Sequence, residues 1–168
     1  LELSNLLNNY PDCEIESFSD YYFNGIAGYN RLMMSEEFYA RFIDSEYILI
    51  YQLDAYVFKD ELIDWCSKGY DYIGAPWLLR PIYNFPLLKF TSWTKRKYCQ
   101  ITSRPCSQMT RFKVGNGGLS LRKVSSHLKA VTNLGPVIKQ YLQVRNHLFN
   151  EDVFFSIEVN RHGLNFTY

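Results

Sequence analysis

Residues Glu46 to Gly74 read EYILIYQLDAYVFKDELIDWCSKGYDYIG, and no other stretch constrains the fold as tightly. Ile48, Leu49, Ile50 and Tyr51 form an unbroken β-branched and aromatic run. Such a run predicts a strand buried on both faces, as in a parallel sheet. It ends at Asp54, and open α/β sheets place their sites at that end of a strand. KDELIDWCSKG then reads as a helix, with Asp60 and Glu61 suited to the first turn and Gly69 to the stop. YDYIGAPW is short and strand-like. The strand–helix–strand order is a βαβ signal and predicts an α/β fold.

The flanking segments fit that class. Tyr29 to Asp44 places Leu32, Met33, Phe38, Tyr39 and Phe42 at loosely helical spacing, with Ser35 and Glu36 placed to restart or cap a turn. Residues 76–112 lose periodicity and carry four prolines with many aromatics, which predicts a long loop of functional type. LSLRKV alternates as a half-buried strand does. Helices are expected around Ser125–Thr132 and Pro136–His147. A last helix is expected from an Asn150 cap to Gly163, with Glu151 and Asp152 in its first turn. A length of 168 residues suits one domain, 1–168. The chain opens on Leu1 and closes on GLNFTY, so a fragment of a longer protein is expected. No membrane-length apolar run or secretory signal is visible.

Charge is segregated. Residues 1–71 hold 14 of the 17 acids and four bases, whereas Tyr72 to Asn150 holds 13 Lys and Arg and no acid. Either the basic segment folds back on the acidic half or it meets an anionic partner: a nucleotide diphosphate, a lipid phosphate or a membrane surface. A net charge of +1 ranks nucleic acid last. Cys13, Cys66, Cys99 and Cys106 form no CxxC pair, which points away from zinc and toward reduced thiols in a cytoplasmic setting. His127, His147 and His162 share no metal-like spacing.

Three features carry candidate chemistry. The turn Gly115-Asn116-Gly117-Gly118 is neither a dinucleotide fingerprint nor a Walker loop, because Ser120 takes the sixth position and a strand follows. Its glycines allow close approach of the backbone to a bulky group, and Asn116 supplies a donor and an acceptor; alone, the turn also reads as a plain hairpin. Asp54 reads as a loop cap or as a ligand for a divalent cation that a diphosphate would complete. Glu151 and Asp152 complement a helix dipole, or one of them serves as a base toward a hydroxyl.

Together, GYNRLMMSEEFYARFIDSEYILIYQLDAYVF, GYDYIGAPW, VGNGGLSLRK and NEDVFFS resemble a little-characterised family of GT-A-like glycosyltransferase proteins known chiefly from bacterial polysaccharide gene clusters. The likeness runs from about Ile15 to Ser156. It implies a GT-A-like mixed sheet flanked by helices, here without an N-terminal base-binding strand. It also implies transfer of a sugar from a nucleotide-diphosphate donor to a glycan or lipid-linked acceptor. The Asp-x-Asp position for Mn²⁺ or Mg²⁺ matches Asp54, with Gln52 and Tyr56 where a second acid would stand, so metal dependence is open. Gly115, Asn116, Gly117 and Gly118 match a loop lining the donor sugar and acceptor, and Gln52 is counted with them as a donor or acceptor contact. Glu151 and Asp152 match the acceptor contact or base. Arg31 matches a nucleotide or phosphate contact, and Trp77 a sugar-stacking ring or a core residue. A cytoplasmic location, with peripheral association at the inner membrane surface, is expected for this chain. A non-catalytic carbohydrate-binding module and a glycoside hydrolase using Asp54 and Asp152 are the other readings.

Overall fold

The computed structural model describes residues 14–78, 85–102, 106–115 and 117–168. A 3-10 turn, Asp20–Phe23, leads into helices α1 (Gly25–Met33) and α2 (Glu36–Arg41). The break between them falls where the sequence marks it: the Ser35 hydroxyl caps α2 by accepting from the Phe38 N–H at 3.2 Å, which satisfies one orphan donor of the new helix.

Three strands follow, β1 (Tyr47–Tyr51), β2 (Tyr72–Gly74) and β3 (Leu119–Lys123), in the sheet order β1-β3-β2. β3 pairs antiparallel with both neighbours, so β1 and β2 run parallel to each other across it. The α/β class holds. The expected parallel pairing of β1 does not form, because the strand after the glycine turn inserts between the two. Nor is β1 buried on both faces: Leu49 and Tyr51 are exposed, since they lie on the face opposite Ile48 and Ile50, which pack on the core. β3, expected to be half-buried, has Ser120, Leu121 and Arg122 all buried in its middle.

Helix α3 (Leu62–Ser67) links β1 to β2; Glu61 holds its N-cap position without a side-chain cap, so both Asp60 and Glu61 fall outside the first turn. Gly69 ends it at φ +74°, where a side chain would be strained. The loop expected over 76–112 is interrupted by a sixteen-residue helix, α4 (Pro86–Ile101). Pro86 opens it because a first-turn residue needs no N–H. Periodicity hid α4 because its apolar residues face solvent and only Ser92 and Cys99 are buried.

After β3 come α5 (Val124–Asn133), α6 (Gly135–Gln143) and a 3-10 turn, His147–Phe149. The last helix, α7, spans 151–161 in three parts: Glu151–Val153, a π turn Phe154–Glu158, and Val159–Arg161. The core packs Leu32, Met33, Tyr39, Val131, Phe154 and Phe155 against Tyr72, with Ile48 and Ile50 at its margin. Burying one such apolar side chain contributes about 1.5–3 kcal/mol. No described helix is long and apolar enough to cross a membrane. Cys66, Cys99 and Cys106 are free thiols.

His127 sits in this core among Tyr39, Tyr72, Phe155 and Phe166. Its Nδ1 donates to the Lys123 carbonyl at 3.0 Å, and its buried Nε2 has no partner. Burial, with the nearby Arg122 charge, pushes the imidazole down to about 3. A base whose folded value is depressed contributes stability that is complete above the unfolded value of about 6.5 and is lost as pH falls toward the folded one. From pH 7 to pH 4.5 His127 should therefore remove about 2–3 kcal/mol from the unfolding free energy. Urea titrations at the two pH values test this against His127→Phe. Equal pH slopes in both proteins would refute it.

Candidate active site at the glycine turn

The glycine turn approaches β3 through a short ladder. Gly115 N–H donates to Ala75 O at 3.0 Å, Trp77 N–H to Lys113 O at 3.0 Å, and Phe112 N–H to Trp77 O at 2.9 Å. Pro76 bridges Val114 within it. Each described glycine then meets one site residue predicted from sequence. A Cβ on Gly115 would overlap the Trp77 indole, and one on Gly117 the Glu151 carboxylate; one on Gly118 would lie 2.6 Å from Gln52 Oε1. None of the three has a positive φ, so lack of space, and not handedness, demands glycine here. Asn116 lies outside the described residues.

Gly115→Ala tests this directly. The partly exposed indole can swing aside, so a stability loss of about 1–3 kcal/mol, the usual cost of overpacking, is expected, together with displacement of Trp77 seen as a shift in tryptophan fluorescence. An unshifted spectrum would separate Trp77 from the turn.

Beneath the turn lies a buried ion pair. Arg122 Nη2 donates to Glu151 Oε2 at 3.0 Å, Nη1 to the Tyr39 hydroxyl at 3.0 Å and Nε to Ser120 Oγ at 3.0 Å. Arg122 is 0% and Glu151 2% exposed. Ser120 Oγ donates in turn to Gly117 O at 3.2 Å, and the Tyr29 hydroxyl donates to the same carbonyl at 3.3 Å. Burial pushes the Glu151 carboxyl above the ordinary carboxylate range, opposed by the guanidinium beside it. Burial likewise raises the Tyr29 phenol to about 12, so it stays a donor.

The start of α7 is fixed by α1. Asn30 Oδ1 accepts the Glu151 N–H at 3.1 Å, while Asn30 Nδ2 donates to Asn150 Oδ1 at 3.1 Å. The expected side-chain cap by Asn150 does not form; Asn30 satisfies the orphan N–H from another helix.

The acid pair thus divides. Glu151 supports the turn from within, while Asp152 lines a cavity of about 550 Å³ together with Trp77, Arg111 and His147. Ser107 and Thr110 supply hydroxyls on its rim. Asp152 Oδ1 also accepts the Val153 N–H at 2.8 Å, which fixes one carboxylate oxygen. Arg111 is tied to α4 by a hydrogen bond from Nη1 to Ser92 Oγ.

Sequence reasoning missed Arg111, His147 and the Arg122 partner of Glu151. For Arg111 a signal existed, since it is a base four residues before Gly115. For His147 none did, because only the fold brings it to Trp77.

Residues 12–168 match the family model described as a protein of unknown function, DUF5672. The chain belongs to the DUF5672 family. No curated protein and no solved structure matches it.

The remaining candidates of this DUF5672 chain lie apart from the cavity. Gln52 extends the β1 ladder by one bond, donating its N–H to Gly118 O at 2.8 Å, and its carbonyl accepts from Ala55 N at 3.0 Å. Asp54 sits in the turn so formed, exposed to solvent and three residues past the strand end. Among the described residues no three His, Cys, Asp or Glu side chains come together as a metal set. Asp54 is therefore one carboxylate and does not by itself form a cation site. Arg31 is engaged elsewhere: Nη2 donates to Tyr21 O at 3.2 Å, and its guanidinium stacks 4.0 Å over the Tyr21 ring, clamping the first 3-10 turn to α1.

Proposed function

We propose that this DUF5672 chain is a glycosyltransferase that moves a sugar from a nucleotide-diphosphate donor to a hydroxyl of a glycan or lipid-linked acceptor. The observation that carries this reading is the shared cavity of Asp152 and Trp77, the latter being the one residue that the cavity wall has in common with the ladder leading into the glycine turn. An aromatic face beside a carboxylate suits a sugar, whose C–H face stacks on a ring while its hydroxyls seek acceptors. A GT-A-like arrangement remains part of the proposal, of which the sheet and its helices would form one portion.

In this mechanism the Asp152 carboxylate accepts the proton of the acceptor hydroxyl as its oxygen bonds to the anomeric carbon. The bond from that carbon to the diphosphate oxygen breaks, with inversion. Arg111, the cationic side chain of the cavity wall, would face charge developing on the leaving group, where preorganised donors are most effective. Glu151 and Arg122 position the turn and do not touch substrate. No step is routed through Asp54 or a divalent cation.

A glycoside hydrolase would need two carboxyls about 5–9.5 Å apart across the sugar. Asp152 is the sole acid among the described residues lining the cavity, which disfavours that chemistry. Calorimetry with a panel of nucleotide sugars, with and without Mn²⁺, tests the proposal. Micromolar to millimolar binding of at least one is expected. Binding of free glycans but of no nucleotide sugar would replace the transferase with a non-catalytic sugar-binding module.

A further inference from the structure

Helix α4 packs little of itself against the protein. Of its sixteen residues only Ser92 and Cys99 are buried. They hold the helix on, Ser92 through Arg111 and Cys99 through a thiol contact with Cys106. On the opposite side, Leu87, Phe90, Trp93, Tyr98 and Ile101 are each 56–83% exposed. Steps of three to five residues set these side chains along one broad face of the helix. Phe90 and Trp93 stack on each other at its middle, ring centroids 6.2 Å apart. Phe85, at the helix start, is also exposed.

The charge on this helix has one sign. Lys89, Lys95, Arg96 and Lys97 are exposed, and α4 contains no acid. None of the four has an ion-pair partner among the described residues. Another base adjoins them: Arg96 shares a 270 Å³ recess with Lys113 and with Arg161, whose Nη1 is paired with Glu158 at 2.6 Å. There Arg161 Nη2 is buried without a hydrogen-bond partner.

We infer that α4 is an interfacial helix that docks this protein on an anionic lipid surface. Exposed aromatic and aliphatic residues on a helix rich in Lys and Arg are the pattern of helices that lie in the headgroup–acyl boundary. The apolar face enters that boundary while the bases meet lipid phosphates. Charge decides against a second copy as the occupant, because an isologous α4–α4 pair would set four cations against four. Nucleic acid would satisfy the cations but leaves Leu87 and Ile101 exposed to water. The inference stands independently of the reaction proposed for the Asp152 cavity.

Co-sedimentation of the full chain with phosphatidylcholine vesicles, with and without 30% (approximately) phosphatidylglycerol, tests it. Binding at least tenfold stronger to the anionic vesicles is expected, weakening as salt rises. Phe90→Ser/Trp93→Ser should lose tenfold or more in vesicle binding, as should Lys95→Glu/Lys97→Glu. The circular dichroism melts of both should change little, because these side chains are exposed on the outer side of the helix. Equal binding to both vesicle types, no binding, or variants that bind as the parent does would each overturn the inference. So would a dimer in sedimentation velocity that Phe90→Ser/Trp93→Ser abolishes without any change in vesicle binding.

Discussion

Arg122→Met is expected to lower the unfolding free energy by about 3–5 kcal/mol, the usual result of stranding one member of a buried ion pair. The substitution leaves the Glu151 carboxylate, 2% exposed, without the guanidinium that opposes its desolvation. It also removes the donors to Tyr39 and Ser120, each worth about 0.5–1.5 kcal/mol. Removing both charges should cost less than removing one: Arg122→Met/Glu151→Leu should recover at least half of the loss, because no uncompensated charge remains. Urea denaturation of the parent, both single variants and the double variant measures the coupling. A double variant no more stable than Arg122→Met would show that the pair contributes through packing and not through charge. The Gly117 carbonyl, held by Ser120 and Tyr29, sits directly above, so these variants should also loosen the turn.

Asp152→Asn is expected to lower transfer by 10²- to 10⁴-fold, the range for loss of a general base, while donor binding changes less than twofold. The amide keeps the shape of the carboxylate but cannot take the acceptor proton. The paired control is Glu151→Gln, which touches no cavity wall. It should lose stability through the Arg122 pair and lose far less specific activity per folded molecule than Asp152→Asn does. Single-turnover assays on protein quantified by its folded fraction separate the two. Full transfer by Asp152→Asn would remove it as the base, and a greater activity loss in Glu151→Gln would reverse the assignment within the pair.

The division of Glu151 and Asp152 shows how far local pattern reaches. Both acids occupy the first turn of a helix, where the dipole favours either equally, so adjacency in sequence cannot assign them. The helix rotation between neighbours turns one toward Arg122 and leaves the other at the cavity. The same holds for the glycines. Their number predicts close approach of something bulky, but only the fold names Trp77, Glu151 and Gln52 as the three groups approached.

β3 is the clearest case. Its alternation separates Leu119, Leu121 and Lys123 from Ser120 and Arg122, and nothing local says that the polar set faces the helices. Register supplies the answer: Ile48 and Tyr72 flank Arg122 on the two neighbouring strands, and that face of the sheet meets α2 and α7. A buried arginine is tolerated there because Tyr39, 83 residues away, and Glu151, 29 residues away, both receive its donors.

By itself the sequence determined the α/β class, the three strands, most of the helices, the Ser35 cap and the Gly69 and Gly163 stops. Each of these depends on periodicity or on backbone groups within a few residues. The tertiary structure alone decided the insertion of β3 between β1 and β2, the outward apolar face of α4 and the Arg122–Glu151 pair. It alone gathered Trp77, Arg111, His147 and Asp152 around one cavity. Those choices rest on burial and charge pairing between residues far apart along the chain, which a local pattern does not encode.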